Sequence, residues 1–439
     1  MRRTLIVELK NFINKDVKVQ GWVQTIRDQK EVQFIVVRDH TGLIQFVLER
    51  SKNAKLAEEV SNLTTESAVT LIGRVVENPI VKLGGFEVQL HDLRVESSAS
   101  LPLPFDLFGR VQPELDKRLD WRFLDLRQPN NFFIFRVQTT LEMGMREYWY
   151  SQGFIEIHSP KLMGSESESR AELFKLEYFG KTAYLAQSPQ LYKQMAMAAG
   201  FDKIFEIGPV FRANPSFTSR HDTEFTSVDV EISWIDSHED VMSFEEKWIQ
   251  HAFSLLKERH GEEIFEKNDV EIKVPSIPFP RITMKEAIEI LRKQGYMPPP
   301  DKKGDLDPQG ERLLCEYVKN NYGHEFVFLK DYPVAVRPFY HMRYENDPLT
   351  TKSFDLLWKG LEITTGAQRE HRYDVLTKQA LEKGLRLEPI QFYLDFFKYG
   401  CPPHGGFGFG LTRTLMGLLN LKNVREVTYL YRGPNRLYP

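Results

Sequence analysis

Over its first hundred or so residues the chain alternates apolar and polar positions with the two-residue period of half-buried strands. The runs KVQGWVQTI, VQFIVVRD, LIQFVLE, AVTLIGRVVE and FEVQLHDLRVE are short, rich in β-branched residues and separated by turn residues such as HTG at 40–42. One stretch, AKLAEEVSNL, switches to helical spacing. Five strands and one helix fit a small closed barrel of OB type, although the same count also suits another small barrel or a sandwich. The segment LPLPFDLFGRVQPEL (101–115) is punctuated by proline and has no period, which marks a linker.

Beyond the linker the pattern becomes mixed. Val137, Leu141, Met145 and Tyr148 recur at helical spacing until Gly153, and FIEIHSP follows as a strand. Val241, Phe244, Trp248, Ala252 and Leu255 mark a second amphipathic helix, and Thr283 with Glu286 forms a capping box ahead of AIEILRKQ. TAYLAQ, KIFEIGPVFR, FTSVDVEISWI, FDLLWKGLEIT and GFGFG read as strands with hairpin-like turns, so an antiparallel sheet flanked by helices is expected. YMPPPDKKGDLDPQG (296–310) reads as a surface excursion. The predicted class is α+β, with a barrel over residues 1–104, a hinge over 105–130 and a larger domain over 131–439.

Composition narrows the class more than the function. The 439 residues are 41% hydrophobic and 27% charged, as in globular proteins and unlike disordered or membrane chains. No run approaches the ~18 apolar residues of a membrane span, and MRRTLIVELKNF lacks a signal-peptide core. Two cysteines, Cys315 and Cys401, leave no disulfide framework and point to a reducing compartment, most simply the cytosol. With a net charge of −3, any nucleic-acid partner must be met by a local basic surface.

The candidate chemistry sits in segments far apart. FRANPSFTSRHDTEF (211–225) offers Arg212, Arg220 and His221 about a turn of Asn, Pro and Ser, followed by Phe225. GGFGFGLTR (405–413) sets four glycines ahead of Arg413, and FDLLWKGLEI (354–363) holds Asp355 and Glu362 within one apolar run. Arginines for a polyphosphate, acids for Mg²⁺ and an aromatic ring for a base describe an ATP site. Neither GxxxxGK[ST] nor GxGxxG opening a βαβ unit occurs, so it is not a P-loop or Rossmann site. Arg212 follows the apolar IFEIGPVF, where a guanidinium is costly unless it meets an anion. On one strand Asp355 and Glu362 would face opposite ways; a bulge or turn at Lys359–Gly360 would reunite them. A second cluster suits a zwitterion with an extra carboxylate. Gln190 and Lys193 stand one helical turn apart in QSPQLYKQ, Arg369 lies in ITTGAQREHR, and Glu168 and Asp229 are partners for an ammonium. Aspartate suits that set. Taken singly, each residue has a plainer reading as a surface ion pair or a core aromatic.

Together these residues make the chain similar to a known family. It resembles the class II aminoacyl-tRNA synthetases and, within them, the aspartyl-tRNA synthetases of the compact archaeal type, over nearly its whole length. GFIEIHSPKL (153–162) resembles motif 1, with Pro160 at the dimer-interface proline; FRAN…SRHDTEF resembles motif 2 and GGFGFGLTR motif 3. QSPQLYKQ and GLEIT…QREHR resemble the aspartate branch. The resemblance implies Arg212 on the ATP α-phosphate, Arg220 and His221 on the outer phosphates, and adenine between Phe225 and Arg413, with Arg212 and Arg413 as the catalytic pair. It implies Mg²⁺ on Asp355, Glu362 and Thr365, and L-aspartate gripped by Lys193 and Arg369, with Glu168, Gln190 and Asp229 about its amino group. Phe34 matches a base-stacking and Gln45 a base-reading position of an anticodon-binding OB domain. The implied activity is ATP-dependent activation of L-aspartate and transfer to tRNA(Asp), with tRNA(Asn) as a second candidate acceptor, in a cytosolic homodimer without membrane contact.

The chain also departs from the family pattern. Asn214 replaces the glutamate of FRAE, Thr412 the glutamate before the motif 3 arginine, and Gly433 an aspartate of the C-terminal pattern. Ser169 and Arg170 stand where two glycines follow the loop glutamate, and Lys30–Glu31 where the barrel has a glycine pair. Such losses leave two other readings open: a paralogue that binds or activates aspartate without charging tRNA, and an OB-domain RNA binder without catalysis.

Overall fold

A computed structural model describes the chain apart from residue 110 and residues 166–172, 216–217 and 300–303. It divides into two compact units, Met1–Phe132 and Phe133–Pro439. In the first, β1 (Asp16–Asp28), β2 (Val32–Asp39), β3 (Gly42–Glu49), β4 (Ala68–Glu77) and β5 (Phe86–Ser97) close into a barrel in the order β1-β2-β3-β5-β4. Alternation decides what fills it: Val17, Val19, Ile35, Val37, Ile44 and Phe46 point inward and are buried. The helix Ala54–Ser61 adds Leu56 and Val60 to that core and is capped by Asn53, whose side chain accepts from the Leu56 N–H. This is the five-stranded OB closure that the alternating runs predict. Residues 101–114 carry no helix or strand among those described.

In the second unit β6 (Ile155–Glu156) is an edge strand, and β7 (Leu162–Met163), β8 (Lys175–Tyr178) and β9 (Lys181–Leu185) form a small sheet of their own. TAYLAQ therefore contributes to that small sheet and not, as expected, to the large one. The large sheet takes β10 (Lys203–Phe211), β11 (Glu224–Ser233), β12 (Arg281–Thr283), β13 (Phe326–Lys330), β14 (Ser353–Trp358), β15 (Leu361–Gln368) and β16 (His404–Phe409), in the order β12-β13-β14-β15-β16-β11-β10-β6. Its inner pairs are antiparallel, but β12/β13 and β10/β6 at the two edges are parallel, so the sheet is mixed. The physical reason at one edge is the connection. β12 reaches β13 through the helices Met284–Lys293 and Pro308–Tyr322, a crossover long enough for parallel pairing.

The two sheet faces differ in chemistry because successive side chains alternate. Val228, Val230, Phe354, Leu356, Phe407 and Phe409 pack against Trp248, Ile249, Ala252 and Phe253 of the long helix His238–Asn268. Burying each large apolar side chain contributes about 1.5–3 kcal/mol, so this layer anchors the sheet. Their neighbours along each strand, among them Asp229, Glu231, Asp355 and Thr365, are left on the opposite face. The Thr283–Glu286 capping box forms as predicted. Of the described residues in 296–310, which were expected at the surface, Tyr296 and Leu306 are buried with Leu314 and Val318 in a separate small core.

Candidate active site

Register lines up Asp229 of β11, Gly408 of β16, Thr365 of β15 and Asp355 of β14 in one row across four strands. Glu231, Gly406, Ala367 and Ser353 form the next row. A cavity of about 380 Å³ opens on this face. Gln190, Arg212, Arg220, His221, Phe225, Asp229, Glu362, Thr365, Arg369 and Arg413 line it, so segments two hundred residues apart share one cleft. Asn214 and Thr412 line it as well, whereas Gly433 does not; Glu168 lies outside the described residues. Glycine is required in β16 because the sheet is crowded there. A Cβ on Gly406 would stand 2.0 Å from the Val230 carbonyl oxygen and 2.3 Å from the Glu231 carboxylate.

At one end of the cleft the helix Gln190–Ala198 delivers Gln190 and Lys193 from one face. The Lys193 ammonium is buried; it donates to Asp229 at 3.1 Å and to the Phe407 carbonyl at 3.2 Å, and lies 3.2 Å from Glu231. It stands behind the cavity wall and does not line the cavity. Arg369 donates through Nε to Glu231 at 2.9 Å, through Nη2 to the Gly406 carbonyl at 3.0 Å, and through Nη1 to His341 Nε2 at 3.1 Å. Glu231 is thus the hub, and sequence reasoning missed it. Burial pushes its carboxyl upward, but Arg369 and Lys193 outweigh that and hold it below the ordinary value. Its signal was available: two residues after Asp229 in an alternating strand, it shares that residue's face. Asp229, read as an ammonium partner, also accepts from the Ser227 hydroxyl.

A buried relay orients Gln190. Its Nε2 donates to Gln194 Oε1 at 2.9 Å, and the Tyr393 hydroxyl donates to the same oxygen at 2.9 Å. Gln194 Nε2 meets His404 Nε2 at 3.0 Å, while His404 Nδ1 meets the Pro402 carbonyl at 2.8 Å. That pattern places the His404 proton on Nδ1 and leaves the Gln190 amide oxygen for the cleft. Burial pushes His404 down to about 4, so the relay stays neutral.

At the other end β14 and β15 are two strands of one hairpin. Lys359 and Gly360 both take positive φ, 50° and 75°, the geometry of a two-residue turn. The register also slips at Leu356/Leu357, leaving Ile363 as the extra residue, so Glu362 returns to the face of Thr365. The Thr365 hydroxyl donates to Glu362 at 3.0 Å. The turn and the bulge together reunite the acids that a single strand would have separated. Asp355 accepts from Arg337 at 2.6 Å through one oxygen; the other is buried without a well-aligned hydrogen bond among the described residues, although the Tyr332 hydroxyl is close by. Burial raises its carboxyl against Arg337, and Glu362 adds to the rise. An orphaned carboxylate oxygen beside a second acid and a hydroxyl is an oxygen donor set that suits a hard divalent ion. Glu311 and Asp305 line the same hollow, but no group of three His, Cys, Asp or Glu is poised for metal among the described residues.

The cations about these acids all have internal partners. Arg413, in the first turn of Leu411–Leu419, donates to the Glu362 carbonyl at 2.9 Å. Arg220 lies 3.6 Å from Glu311, a residue of the helix Pro308–Tyr322 that sequence reasoning did not select. Burial, with Glu362 adding its charge, pushes Glu311 up to about 7. His221 meets the Thr218 hydroxyl. Arg212 corrects an expectation: it is exposed in the cleft, its guanidinium 5.3 Å over the Phe225 ring, and carries no burial cost.

On the barrel, Arg27 of β1 is paired with Phe34 of β2, and Gln45 of β3 is opposite Val36, so all three share the outer face. Arg27 lies 5.0 Å over the Phe34 ring and donates to Gln45 Oε1 at 2.6 Å. Gln45 Nε2 donates to Glu87 at 2.8 Å, which fixes the orientation of its amide. Arg27 and Glu87 were not among the residues singled out from the sequence.

Residues 114–432 match the family model for tRNA synthetases class II (D, K and N), and residues 17–96 match the OB-fold nucleic acid binding domain. The chain is 44% identical to the aspartate–tRNA(Asp) ligase of Pyrococcus abyssi, over 97% of this chain and 96% of that one. It is 43% identical to the aspartate–tRNA(Asp/Asn) ligase of Aeropyrum pernix, over 99% and 98%. Among solved structures, the asparaginyl-tRNA synthetase of Pyrococcus horikoshii complexed with asparaginyl-adenylate superposes with a TM-score of 0.90 at 33% identity, covering 100% of both chains. The aspartyl tRNA synthetase of Entamoeba histolytica gives 0.88 at 34% identity, covering 100% of this chain and 93% of that one. With identity sustained from barrel to C-terminus and a family model spanning most of the chain, the protein belongs to the class II tRNA synthetases of the D, K and N group.

Proposed function

We propose that this protein activates L-aspartate with ATP and transfers it to tRNA(Asp). The observation that carries the reading is the cleft lined by Arg369 at one end, with Lys193 behind it, and by Arg212, Arg220, Arg413 and Glu362 at the other, where Asp355 lines an adjoining hollow. The aspartate specificity named for relatives at 44% and 43% identity supports the choice of amino acid.

The α-carboxylate of aspartate attacks the α-phosphorus of ATP, a P–O bond forms, and pyrophosphate leaves. The attacking oxygen is already ionised, so no general base is needed, and the residues act by position and charge. Arg212 moves from the Phe225 ring to the α-phosphate, which exposes that ring for adenine to stack between Phe225 and Arg413. Arg220 exchanges Glu311 for the outer phosphates, with His221 beside it. Arg369, held in place by Glu231 with Lys193 behind it, donates to the side-chain carboxylate; Asp229 and the Gln190 oxygen accept from the ammonium. Asp355, Glu362 and Thr365 would hold Mg²⁺, which when bound offsets charge on the phosphates and the leaving pyrophosphate. The terminal adenosine hydroxyl of tRNA then attacks the aspartyl carbonyl and AMP departs.

In this reading residues 1–104 bind the anticodon through the face of Phe34, Arg27 and Gln45, 105–130 are the hinge, and 131–439 catalyse. The chain acts as a homodimer through the segment 153–162, in the cytosol. Two free, buried cysteines support a reducing compartment, and no helix among the described residues is long and apolar enough to cross a membrane. The test is ATP–pyrophosphate exchange with and without aspartate, beside charging of separate tRNA(Asp) and tRNA(Asn) transcripts. Aspartate-dependent exchange and charging of tRNA(Asp) are expected. Exchange without charging would turn the reading to the paralogue, and absence of exchange would end it.

A further inference from the structure

His341 follows the short 3-10 turn Val334–Val336 and meets Arg369 as an isolated antiparallel bridge. It is 2% exposed, and the one hydrogen bond its ring makes among the described residues comes from Arg369 Nη1 to Nε2, at 3.1 Å. A guanidinium can only donate, so Nε2 must be an unprotonated acceptor and the ring proton must sit on Nδ1. The surroundings agree: burial first, then the charges of Arg369, Arg337, Lys193 and Lys383, hold the imidazole neutral. Among the described residues Nδ1 is buried and has no hydrogen-bond partner. A ring kept only for packing would not strand an N–H in this way, because an unmade buried hydrogen bond destabilises the fold. The residue lines the cleft, and its one ring hydrogen bond among the described residues is the contact to Arg369. The backbone fixes its place, since the His341 carbonyl accepts from Gln379 Nε2 at 3.2 Å and the Tyr340 ring packs 5.2 Å away.

The charges around it explain why a neutral acceptor is useful. Lys193 and Arg369 face Asp229 and Glu231, two cations against two anions, so the pocket has little net charge with which to attract a carboxylate. Selectivity for a side-chain carboxylate over an amide must then come from how the Arg369 donors are aimed. Glu231 and the Gly406 carbonyl hold the Nε and Nη2 side of the guanidinium, and His341 holds Nη1.

We infer that His341 is a positioning residue for amino-acid selection: it aims the Arg369 guanidinium and so sets discrimination between aspartate and asparagine. The inference rests on the proposed function of the cleft. Two variants test it in the full chain. His341→Leu keeps the bulk but removes the acceptor, and His341→Gln places an amide oxygen near the position of Nε2. In the exchange assay His341→Leu should raise KM for aspartate about tenfold, with kcat and KM for ATP nearly unchanged, and should narrow the aspartate-to-asparagine ratio of kcat/KM. His341→Gln should restore most of the loss. Should the leucine variant fail to fold, His341→Asn replaces it, since the shorter amide falls short of Arg369 and the same rise in KM is expected. Equal kinetics for the acceptor-bearing and acceptor-free variants would overturn the inference alone, provided the wild-type chain shows aspartate-dependent exchange. A wild-type chain without such exchange would overturn the site reading and this inference with it.

Discussion

Between Lys193 and Arg369, Glu231 is fully buried, and each cation owes its position to a carboxylate that it neutralises in turn. Such a cluster is unforgiving of single losses, because removing one partner leaves charge uncompensated in a poorly solvated place. Arg369→Leu should therefore do two things. It should abolish aspartate-dependent exchange, and it should lower unfolding stability by about 3–5 kcal/mol as Glu231 loses its bidentate partner. Denaturant melts and exchange rates read the two effects separately, and exchange that survives the substitution would refute the pocket assignment. At this scale the residue types were legible in the sequence, whereas their partners were not. QSPQLYKQ and QREHR stand out as cations in polar runs, but nothing local says that Lys193 lies behind the cavity wall or that Arg212 is exposed over Phe225.

The long helix His238–Asn268 carries a second buried acid on the opposite side of the sheet. Glu245 is fully buried; neither carboxylate oxygen is hydrogen bonded among the described residues, although the Thr364 hydroxyl is close by. Burial pushes its pKa up to about 8 from an ordinary 4.5. Between those values the folded chain holds a proton that the unfolded chain releases. The protonated helix–sheet contact is therefore at full strength below pH 4.5, and its contribution is lost as the pH rises through about 8. Glu245→Gln cannot ionise, so it should flatten the fall in melting temperature between about pH 5 and pH 9 and gain on the order of a few kcal/mol over wild type at the alkaline end. Thermal melts across that range decide the matter: parallel slopes for the two proteins would show that Glu245 ionises freely in the fold. Element boundaries were among the most legible features, since β2 begins and ends where VQFIVVRD does and the Thr283–Glu286 cap is present. Parallel pairing at the sheet edges was not, because it depends on how the chain crosses over between strands.

The barrel and the large sheet are built on separate cores, one inside the barrel and one between the sheet and the long helix, so substitutions in the two can be read separately. Phe34→Ala should weaken tRNA charging by ~1–3 kcal/mol through lost base stacking while leaving adenylate formation unchanged. Comparing the KM for tRNA in charging with the exchange rate checks this, and an equal loss in both would place Phe34 outside the tRNA contact. By itself the sequence determined the strands, the helices and the inventory of charged and aromatic groups, because periodicity, capping and turn chemistry act over a few neighbouring residues. Only the tertiary structure decided which of those groups meet. Lys193 reaches the Phe407 carbonyl across 214 residues of chain and Arg369 reaches Glu231 across 138, and a single-residue slip in β15 returns Glu362 to the face of Thr365. Such pairings depend on strand order and register, which long-range packing sets and no local pattern records.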